Sequence, residues 1–167
     1  MNKQRIAKMT ARSKHVEQSF KDSKNELAAF VSHNPEVYKD LLKKLICQGL
    51  IKLMEAEVTI VCRKSDLKLV QSVLVEATSL YKSIMRDQVK MLGGQEPPCE
   101  LKIDENNWLP EYSESEGGKA EASCVGGVRL HARAGRIVCS NTLDERLELC
   151  YQEAIPQIRK LLFPDYH

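Results

Sequence analysis

The stretch from Gly126 to Phe163 constrains the fold more than any other part of the chain, because its apolar residues change from strand-like alternation to a helical period. Val128, Leu130 and Ala132 alternate with polar residues, and a second short apolar run follows the Ala134-Gly135 turn, which predicts a β-hairpin. Helical spacing then links Leu143, Leu147, Cys150, Ala154, Ile158 and Leu161. We therefore expect this stripe of a helix to lie on the apolar face of the hairpin.

The start of that helix has the pattern of a capping box. Thr142 stands three residues before Glu145, so the Thr142 hydroxyl can accept the Glu145 amide while the Glu145 carboxylate accepts the Thr142 amide. Further along, Pro156 has no amide to donate and crowds the carbonyl one turn earlier. We predict a helix that begins after Thr142, bends or restarts near Pro156, and ends before Pro164.

A heptad-like pattern marks the N-terminal part of the chain. We use the word seam for the positions that follow 3-4-3-4-3-4-3 spacing, which are Ile6, Met9, Ser13, Val16, Phe20, Ser23, Leu27 and Phe30. Six of the eight are apolar and no Gly or Pro precedes Pro35, so we predict one continuous helix. Because so narrow a stripe suits a partner helix, we predict a partner-helix interface at Ile6, Met9, Val16, Phe20 and Leu27. Packing on the chain's own domain is the alternative.

Further helices and strands are predicted after this helix. Asn34-Pro35 suits the capped start of a second helix with a wide apolar face, and residues 57–63 have the pattern of an interior strand. Ser65 or Asp66 is expected to cap a third helix, and residues 99–103 alternate like another strand.

These elements predict two domains and an α+β fold. Residues 1–34 are expected to form a helical arm, coiled-coil-like and partner-binding, that projects from the rest of the chain. Residues 35–167 are expected to form a globular mixed α/β head, in which helices cover a small mixed sheet of about four strands. A right-handed crossover is expected if the first two strands are parallel.

Two segments have the composition of surface loops. Residues 93–98 are rich in Gly and Pro, and residues 111–123 are small, polar and acidic with few apolar anchors. We predict that the second segment is a mobile loop. A phosphate-regulated switch at Ser113 or Ser115 is a less favoured alternative.

Charge and cysteine content limit the functional classes. Residues 1–34 carry seven Lys/Arg and three Asp/Glu, a charge of +4, whereas residues 35–167 carry eighteen and twenty, a charge of −2. A basic arm can bind nucleic acid or an anionic membrane, but a solvated helix face is the more ordinary interpretation. The six cysteines are scattered without metal-ligand spacing, and no signal or membrane-spanning run occurs, so we expect a soluble intracellular protein with reduced thiols.

The sequence does not predict an enzyme. Gly126-Gly127 and Ser140-Asn141-Thr142 could together hold an anion, but no phosphate-loop motif accompanies them and the capping box already uses those amides. No histidine has the neighbours of a nucleophile and base pair. We therefore predict no catalytic, cofactor-binding or metal-binding residue.

An RNA-binding or protein-interaction adaptor with a basic arm is the alternative function. Small α/β domains that bind RNA place aromatic residues on their strands, and the predicted strands here contain none in that pattern. We therefore expect no nucleic-acid partner.

Two stretches resemble the E subunit of the V-type proton ATPase. The first contains Gly126, Gly127 and Val128, followed by the S-N-T-L-[DE]-x-R-L motif. In this chain that motif is carried by Ser140, Asn141, Thr142, Leu143, Asp144, Arg146 and Leu147, with Glu145 as the second capping-box residue. The second is Val61-Cys62-Arg63-Lys64-Ser65-Asp66, which is similar to the family's strand-to-helix junction. The loops at 93–98 and 111–123 are longer than usual in the family.

The resemblance implies a non-catalytic stator subunit. In that family, the E subunit pairs with the G subunit along the helical arm, and its head contacts the catalytic head that contains the B subunit, at the cytosolic face of vacuolar membranes. The family's N-terminal helix is longer than the arm here, so we expect this chain to be a piece that begins within that helix. Binding of the G subunit through the seam is an expectation that rests on the resemblance.

Overall fold

The computed structural model describes residues 2–92, 98–113 and 123–163. Its elements are α1 Asn2–His33, α2 Pro35–Leu53, β1 Glu57–Val61, α3 Leu67–Leu92, β2 Glu100–Ile103, β3 Gly127–Ala132, β4 Ile137–Thr142 and α4 Leu143–Leu162. The strands form one sheet in the order β2-β1-β3-β4, in which β1 and β2 are parallel and the other pairs are antiparallel. This mixed sheet with its helices confirms the predicted α+β class.

The core lies between one face of the sheet and helices α2 and α3. The wide apolar face predicted for α2 is buried against alternate strand residues, among them Leu130 of β3. Gly49 allows the close approach of α2, because a Cβ atom there would lie 2.6 Å from Leu130 Cδ1. This helix therefore covers the apolar side of the β3–β4 hairpin.

The hairpin itself has the predicted form. Strands β3 and β4 pair from Gly127 with Thr142 to Ala132 with Ile137. Arg133, Ala134 and Gly135 all have positive φ in the turn, as expected where two strands reverse within a few residues.

Two local caps differ from the prediction. The Asn34 side chain does not cap α2, because its Nδ2 donates to the Phe30 carbonyl, 3.1 Å away, at the end of α1. Both Asp66 carboxylate oxygens accept hydrogen bonds from Tyr38 and Arg63, so this carboxylate stabilises tertiary structure where a helix cap was predicted.

Helix α4 departs most from the prediction. Leu143 is its only buried residue within the described part of the chain, and the helix continues through Pro156, so it does not restart there. The expectation that its stripe lies on the hairpin is wrong beyond the first turn, because α2 already covers that face of β3 and β4. α4 leaves the sheet and packs along α1 instead.

Both predicted loops fall mostly outside the described residues, at 93–97 and 114–122. The described start of the second loop is anchored to the rest of the chain. Glu111 accepts hydrogen bonds from the amide and the hydroxyl of Ser65, at 3.1 and 2.9 Å. Tyr112 donates from its hydroxyl to Asn25 Oδ1, 2.7 Å away on α1.

Candidate partner-binding site

Helix α1 is supported by α4 along its inner part. Near the sheet, the Lys24 ammonium lies 2.7 Å from Asp144 Oδ1, in the first turn of α4. Two turns further along α4, the ring of Tyr151 lies against Phe20, with 4.8 Å between the ring centroids. Residue numbers fall on one helix as they rise on the other, so the two helices are antiparallel.

The same pairing continues outward along α1. The Tyr151 hydroxyl donates to the carbonyl of Val16, a residue that is only 5% exposed. Beyond it, the Arg12 guanidinium lies 5.0 Å from the ring centroid of Phe163, one residue past α4. We call this antiparallel pair of α1 and α4 the helical stalk.

The five predicted interface residues therefore lie in two different environments. Val16 is buried, and Phe20 and Leu27 are partly buried, all against the chain itself. Ile6 and Met9 are 59% and 53% exposed. Between residues 12 and 24, α1 packs along α4 of its own chain, which is the alternative given above, and the division into an arm of residues 1–34 and a head of residues 35–167 stays a prediction. Binding of a second protein through any of the five stays a prediction.

Sequence reasoning missed α4 as the companion of α1, although a signal was present. The residues of α4 that are partly buried include a series with 3-4-3-4 spacing, namely Asp144, Leu147, Tyr151, Ala154 and Ile158. The seam of α1 has the same spacing. Two helices that carry such stripes can pack against each other in antiparallel orientation. The stripe predicted for α4 shares Leu147, Ala154 and Ile158 with this series, but it passes through Cys150, which is exposed, where the series has Tyr151.

The glycines of the family motif lie where side chains cannot fit. A Cβ atom at Gly126 would lie 2.5 Å from the Tyr38 hydroxyl, and one at Gly127 would lie 2.7 Å from the Asn141 carbonyl oxygen. Both glycines have positive φ, at 156° and 95°. The motif therefore has a packing role, in which the start of β3 approaches α2 and the end of β4 closely.

A buried polar network surrounds these glycines. The amide of Gly127 donates to the Tyr38 hydroxyl at 2.9 Å, and that hydroxyl donates to Asp66 Oδ2 at 2.8 Å. Arg63 binds both oxygens of Asp66, at 2.7 and 2.9 Å. Burial and the Asp66 carboxylate raise the pKa of Tyr38 well above its usual value, so the phenol stays protonated and can donate. The network joins α2, β3 and the start of α3.

The remaining motif residues join β4 and α4 to α2. Asn141 Nδ2 donates to the Leu45 carbonyl at 2.8 Å, and Arg146 Nη1 donates to Asn141 Oδ1 at 3.0 Å. Arg146 also donates to Gln48 Oε1 at 2.9 Å. Val128 is fully buried in the core. These contacts fix the direction in which α4 leaves the sheet.

The first turn of α4 contains half of the predicted capping box. The Thr142 hydroxyl accepts the Glu145 amide at 3.4 Å, which confirms the predicted cap. The Glu145 carboxylate lies 3.6 Å from Arg129 Nη2 on β3, so it faces the sheet and not the Thr142 amide. The Leu143 amide donates to the Gly126 carbonyl at 2.9 Å.

Asp144 connects this region to the helical stalk. Its Oδ2 accepts the Val125 amide at 2.7 Å, while its Oδ1 faces Lys24 on α1. One carboxylate therefore joins the segment that precedes β3, the first turn of α4 and the C-terminal third of α1.

Neither a metal-holding group of side chains nor a membrane-spanning helix occurs among the described residues. They contain no group of three or more His, Cys, Asp or Glu side chains placed to hold a metal ion, and none of the described helices has the length and apolarity needed to cross a bilayer. The cysteines are free thiols, and burial raises the pKa of Cys62 and of Cys124 to about 11. Buried thiols of this kind react slowly.

Comparisons with known proteins agree with the resemblance of the motifs. The family described as ATP synthase (E/31 kDa) subunit matches residues 1–163. The V-type proton ATPase E subunit of Dictyostelium discoideum is 32% identical over 163 residues, and that of Gossypium hirsutum is 39% identical over 169. The protein of the same name from Drosophila melanogaster is 36% identical over 163 residues. Each match covers 98% of this chain but only 64%, 67% and 62% of the respective relative.

Proposed function

The chain belongs to the ATP synthase (E/31 kDa) subunit family, and from that premise we propose that it is a non-catalytic subunit of a V-type proton ATPase. Its relatives in the comparisons are named as E subunits of that enzyme. The proposed role is that of a peripheral stalk, or stator, which links the catalytic head of the enzyme to its membrane sector and resists the torque of the rotor.

The observation that carries this proposal is the joint between the helical stalk and the sheet. A stator has to transmit force from a rod to a head without bending at the connection. In this chain Asp144 binds both Lys24 of α1 and the Val125 amide, and Tyr112 binds Asn25, the next residue of α1. Contacts from two separate segments of the chain to α1 make this connection stiffer than a single linker.

In the proposed role, the polar residues of the family motif transmit force and perform no chemical step. Asp66, Asn141 and Arg146 of the motif stretches, together with Tyr38 of α2, are all hydrogen-bonded to protein groups. Their arrangement stabilises the positions of α2 and α4 relative to the hairpin. ATP hydrolysis and proton transfer are then properties of the other proteins of the complex.

The proposed partners are the G subunit, along the helical stalk, and the B subunit of the catalytic head. The proposed location is the cytosolic face of vacuolar and other internal membranes, through the assembled complex. The family resemblance supports both statements, and the exposed apolar residues at the far end of the stalk are consistent with a partner there.

Affinity purification from the source cells tests the proposal. A tagged chain is expressed and recovered under mild detergent, and its partners are identified by mass spectrometry with and without ribonuclease. Recovery of V-type ATPase subunits, unchanged by ribonuclease, is the expected result. Partners that disappear with ribonuclease would support the RNA-binding alternative, and recovery of no ATPase subunit would contradict the proposal.

A further inference from the structure

Strand β2 has an edge that no described strand covers. It stands at the end of the sheet order β2-β1-β3-β4, and the only described strand that pairs with it is β1. On that side, the Glu100 amide donates to the Ala56 carbonyl at 2.7 Å. Because successive residues of a strand direct their N–H and C=O groups to opposite sides, those of Leu101 and Ile103 point away from β1. They form an edge that can bind a further strand.

The two faces of β2 differ in chemistry. Leu101 and Ile103, together with Cys99 just before the strand, are partly buried against the core. Glu100 and Lys102 lie on the opposite face, where their side chains are 63% and 57% exposed and their charged atoms are 3.4 Å apart. Residues 99–103 therefore alternate between apolar positions on one face and one acid and one base on the other.

A groove of about 490 Å³ runs along the apolar side of this edge. Its lining includes Leu74, Val75 and Thr78 of α3, and Cys99 and Leu101 beside them. Val75 is 76% exposed, so the described residues leave most of its apolar surface open to solvent. A strand added to β2 would direct every second side chain into this groove, and apolar side chains would fit it best.

We propose that the occupant of this edge is a second copy of the chain, whose β2 pairs antiparallel with the first about a two-fold axis at Leu101. In that register Leu101 lies opposite Leu101 of the second copy, and Cys99 lies opposite Ile103. Glu100 lies opposite Lys102 on the exposed face, so each acid meets a base. The inference concerns the free chain and does not depend on the proposed function.

The backbone and the charges select the same register. Only residues with outward N–H and C=O groups can form the hydrogen-bonded pairs of the new ladder, so a shift has to move the strands by two residues. Such a shift places Glu100 opposite Glu100 in one direction and Lys102 opposite Lys102 in the other. Like charges directly opposite each other are destabilising, which leaves the register centred on Leu101.

A charged residue on an edge strand usually prevents pairing, because it meets its own kind in a second copy. In β2 the acid and the base are two residues apart on one face, so they neutralise each other across the two-fold axis. The pairing also uses the same edge of both copies, so it stops at two. β2 therefore favours a defined dimer over open-ended association.

Sedimentation equilibrium of the whole chain, from about 5 to about 300 µM, tests the inference. Five residues from each copy form a smaller interface than that of a permanent dimer. We therefore expect a reversible dimer with a dissociation constant on the order of 10 to 100 µM. Ile6→Ser with Met9→Ser should leave this constant unchanged, because the seam lies on α1 and not at the β2 edge.

Reversal of single charges provides the sharpest comparison. Glu100→Lys places base opposite base and Lys102→Glu places acid opposite acid, so each should weaken the dimer by at least about tenfold. The double variant and an equimolar mixture of the two single variants both restore opposite charges, and both should dimerise like the unaltered chain. Lys14→Glu, at an exposed position of α1, is the control and should have no effect. Circular dichroism verifies that each variant is folded.

Disulfide cross-linking measures the register directly. Glu100→Cys and Lys102→Cys are made in separate chains that also carry Cys150→Ser, which removes the exposed thiol. Residues opposite each other at this position are about 4.5 Å apart between Cα atoms, a separation that a disulfide can span. Mild oxidation should therefore cross-link the mixture of the two chains and neither chain alone.

Three results would overturn the inference. A chain that remains monomeric at about 300 µM would show that the edge does not pair with itself. Dimers that persist in both single charge variants, or that are lost with Ile6→Ser and Met9→Ser, would place self-association on another surface. Cross-linking of either cysteine chain alone as efficient as that of the mixture would contradict the register centred on Leu101.

Discussion

The ammonium of Lys24 and the carboxylate of Asp144 meet 2.7 Å apart, which joins the middle of the first helix to the first turn of the last one. Both side chains are about a fifth exposed, so solvent screens their attraction only in part. Asp144 also accepts the Val125 amide, and this second bond makes its loss more costly than the loss of Lys24.

We predict that Lys24→Met lowers the free energy of unfolding by about 0.5 to 1 kcal/mol, and that Asp144→Ala lowers it by about 1 to 3 kcal/mol because the Val125 amide loses its acceptor. Urea denaturation measures both changes. A double variant should be less destabilised than the sum of the two. Strict additivity would mean that the two residues do not interact in solution.

The motif glycines provide a second prediction. Gly127→Ala is expected to destabilise the chain by roughly 3 kcal/mol or more, because the new Cβ would lie 2.7 Å from a backbone oxygen at a φ of 95°. Gly135→Ala in the hairpin turn is the matched control. It has a φ of 81° but open space around it, so only the conformational cost of about 1 kcal/mol is expected. Similar midpoints of denaturation for the two variants would contradict the packing role of Gly127.

The cap of α4 allows a test of the half-formed capping box. Thr142→Ala should lower the free energy of unfolding by about 1 kcal/mol through loss of the bond to the Glu145 amide. Glu145→Ala should cost clearly less, about 0.5 kcal/mol, because its carboxylate faces Arg129 near the surface. Equal losses measured by chemical denaturation would indicate that the box is reciprocal in solution.

The two parts of the seam should respond differently to polar substitution. Val16→Ser with Phe20→Ser is expected to release α4 from α1 and to speed amide exchange in α4 after Tyr151, since these side chains are buried by that helix. Ile6→Ser with Met9→Ser should leave exchange in α4 unchanged. Slow exchange in α4 of the first double variant would show that α4 is held by other contacts.

The buried thiols predict a loss of stability in alkaline solution. The pKa of Cys62 and of Cys124 is about 11 in the folded chain and 9.0 for an ordinary thiol, so the unfolded chain loses these protons first as the pH rises. The free energy of unfolding should therefore fall between about pH 9 and 11, by an amount on the order of 2 kcal/mol for each thiol. Cys62→Ala should flatten this dependence.

The exposed Cys150 provides the comparison for the buried thiols, because the fold does not cover it. It should also be the thiol that reacts fastest with a disulfide reagent in the folded chain. A free energy of unfolding that stays constant from pH 9 to 11 would indicate that the two buried thiols are solvated in solution.

Features that depend on near neighbours in the sequence were predictable. The β3–β4 hairpin follows from alternation over a few residues, and the cap at Thr142 follows from one residue three positions away. The continuous helix α1 follows in the same way from a stretch without Gly or Pro. In each case the physical cause lies in residues that are near one another in the sequence.

Features that depend on residues far apart in the sequence were not predictable from it. The Gly127 amide binds a hydroxyl 89 residues away, and Asn141 binds a carbonyl 96 residues away. Resemblance to the family identified Gly127 and Asn141, but only the structure shows Tyr38 and Leu45 as their partners. The path of α4 was mispredicted for the same reason, since its apolar stripe does not reveal whether the sheet or α1 will cover it.

The contact between Val16 and Tyr151 spans 135 residues of chain, which has a consequence for synthesis in the cell. α1 leaves the ribosome long before α4 is made, and during that interval the whole of its seam is exposed. α4 therefore reaches Val16 and Phe20 only after nearly all of the chain has been made, and until then these two residues lack the contacts that Tyr151 provides.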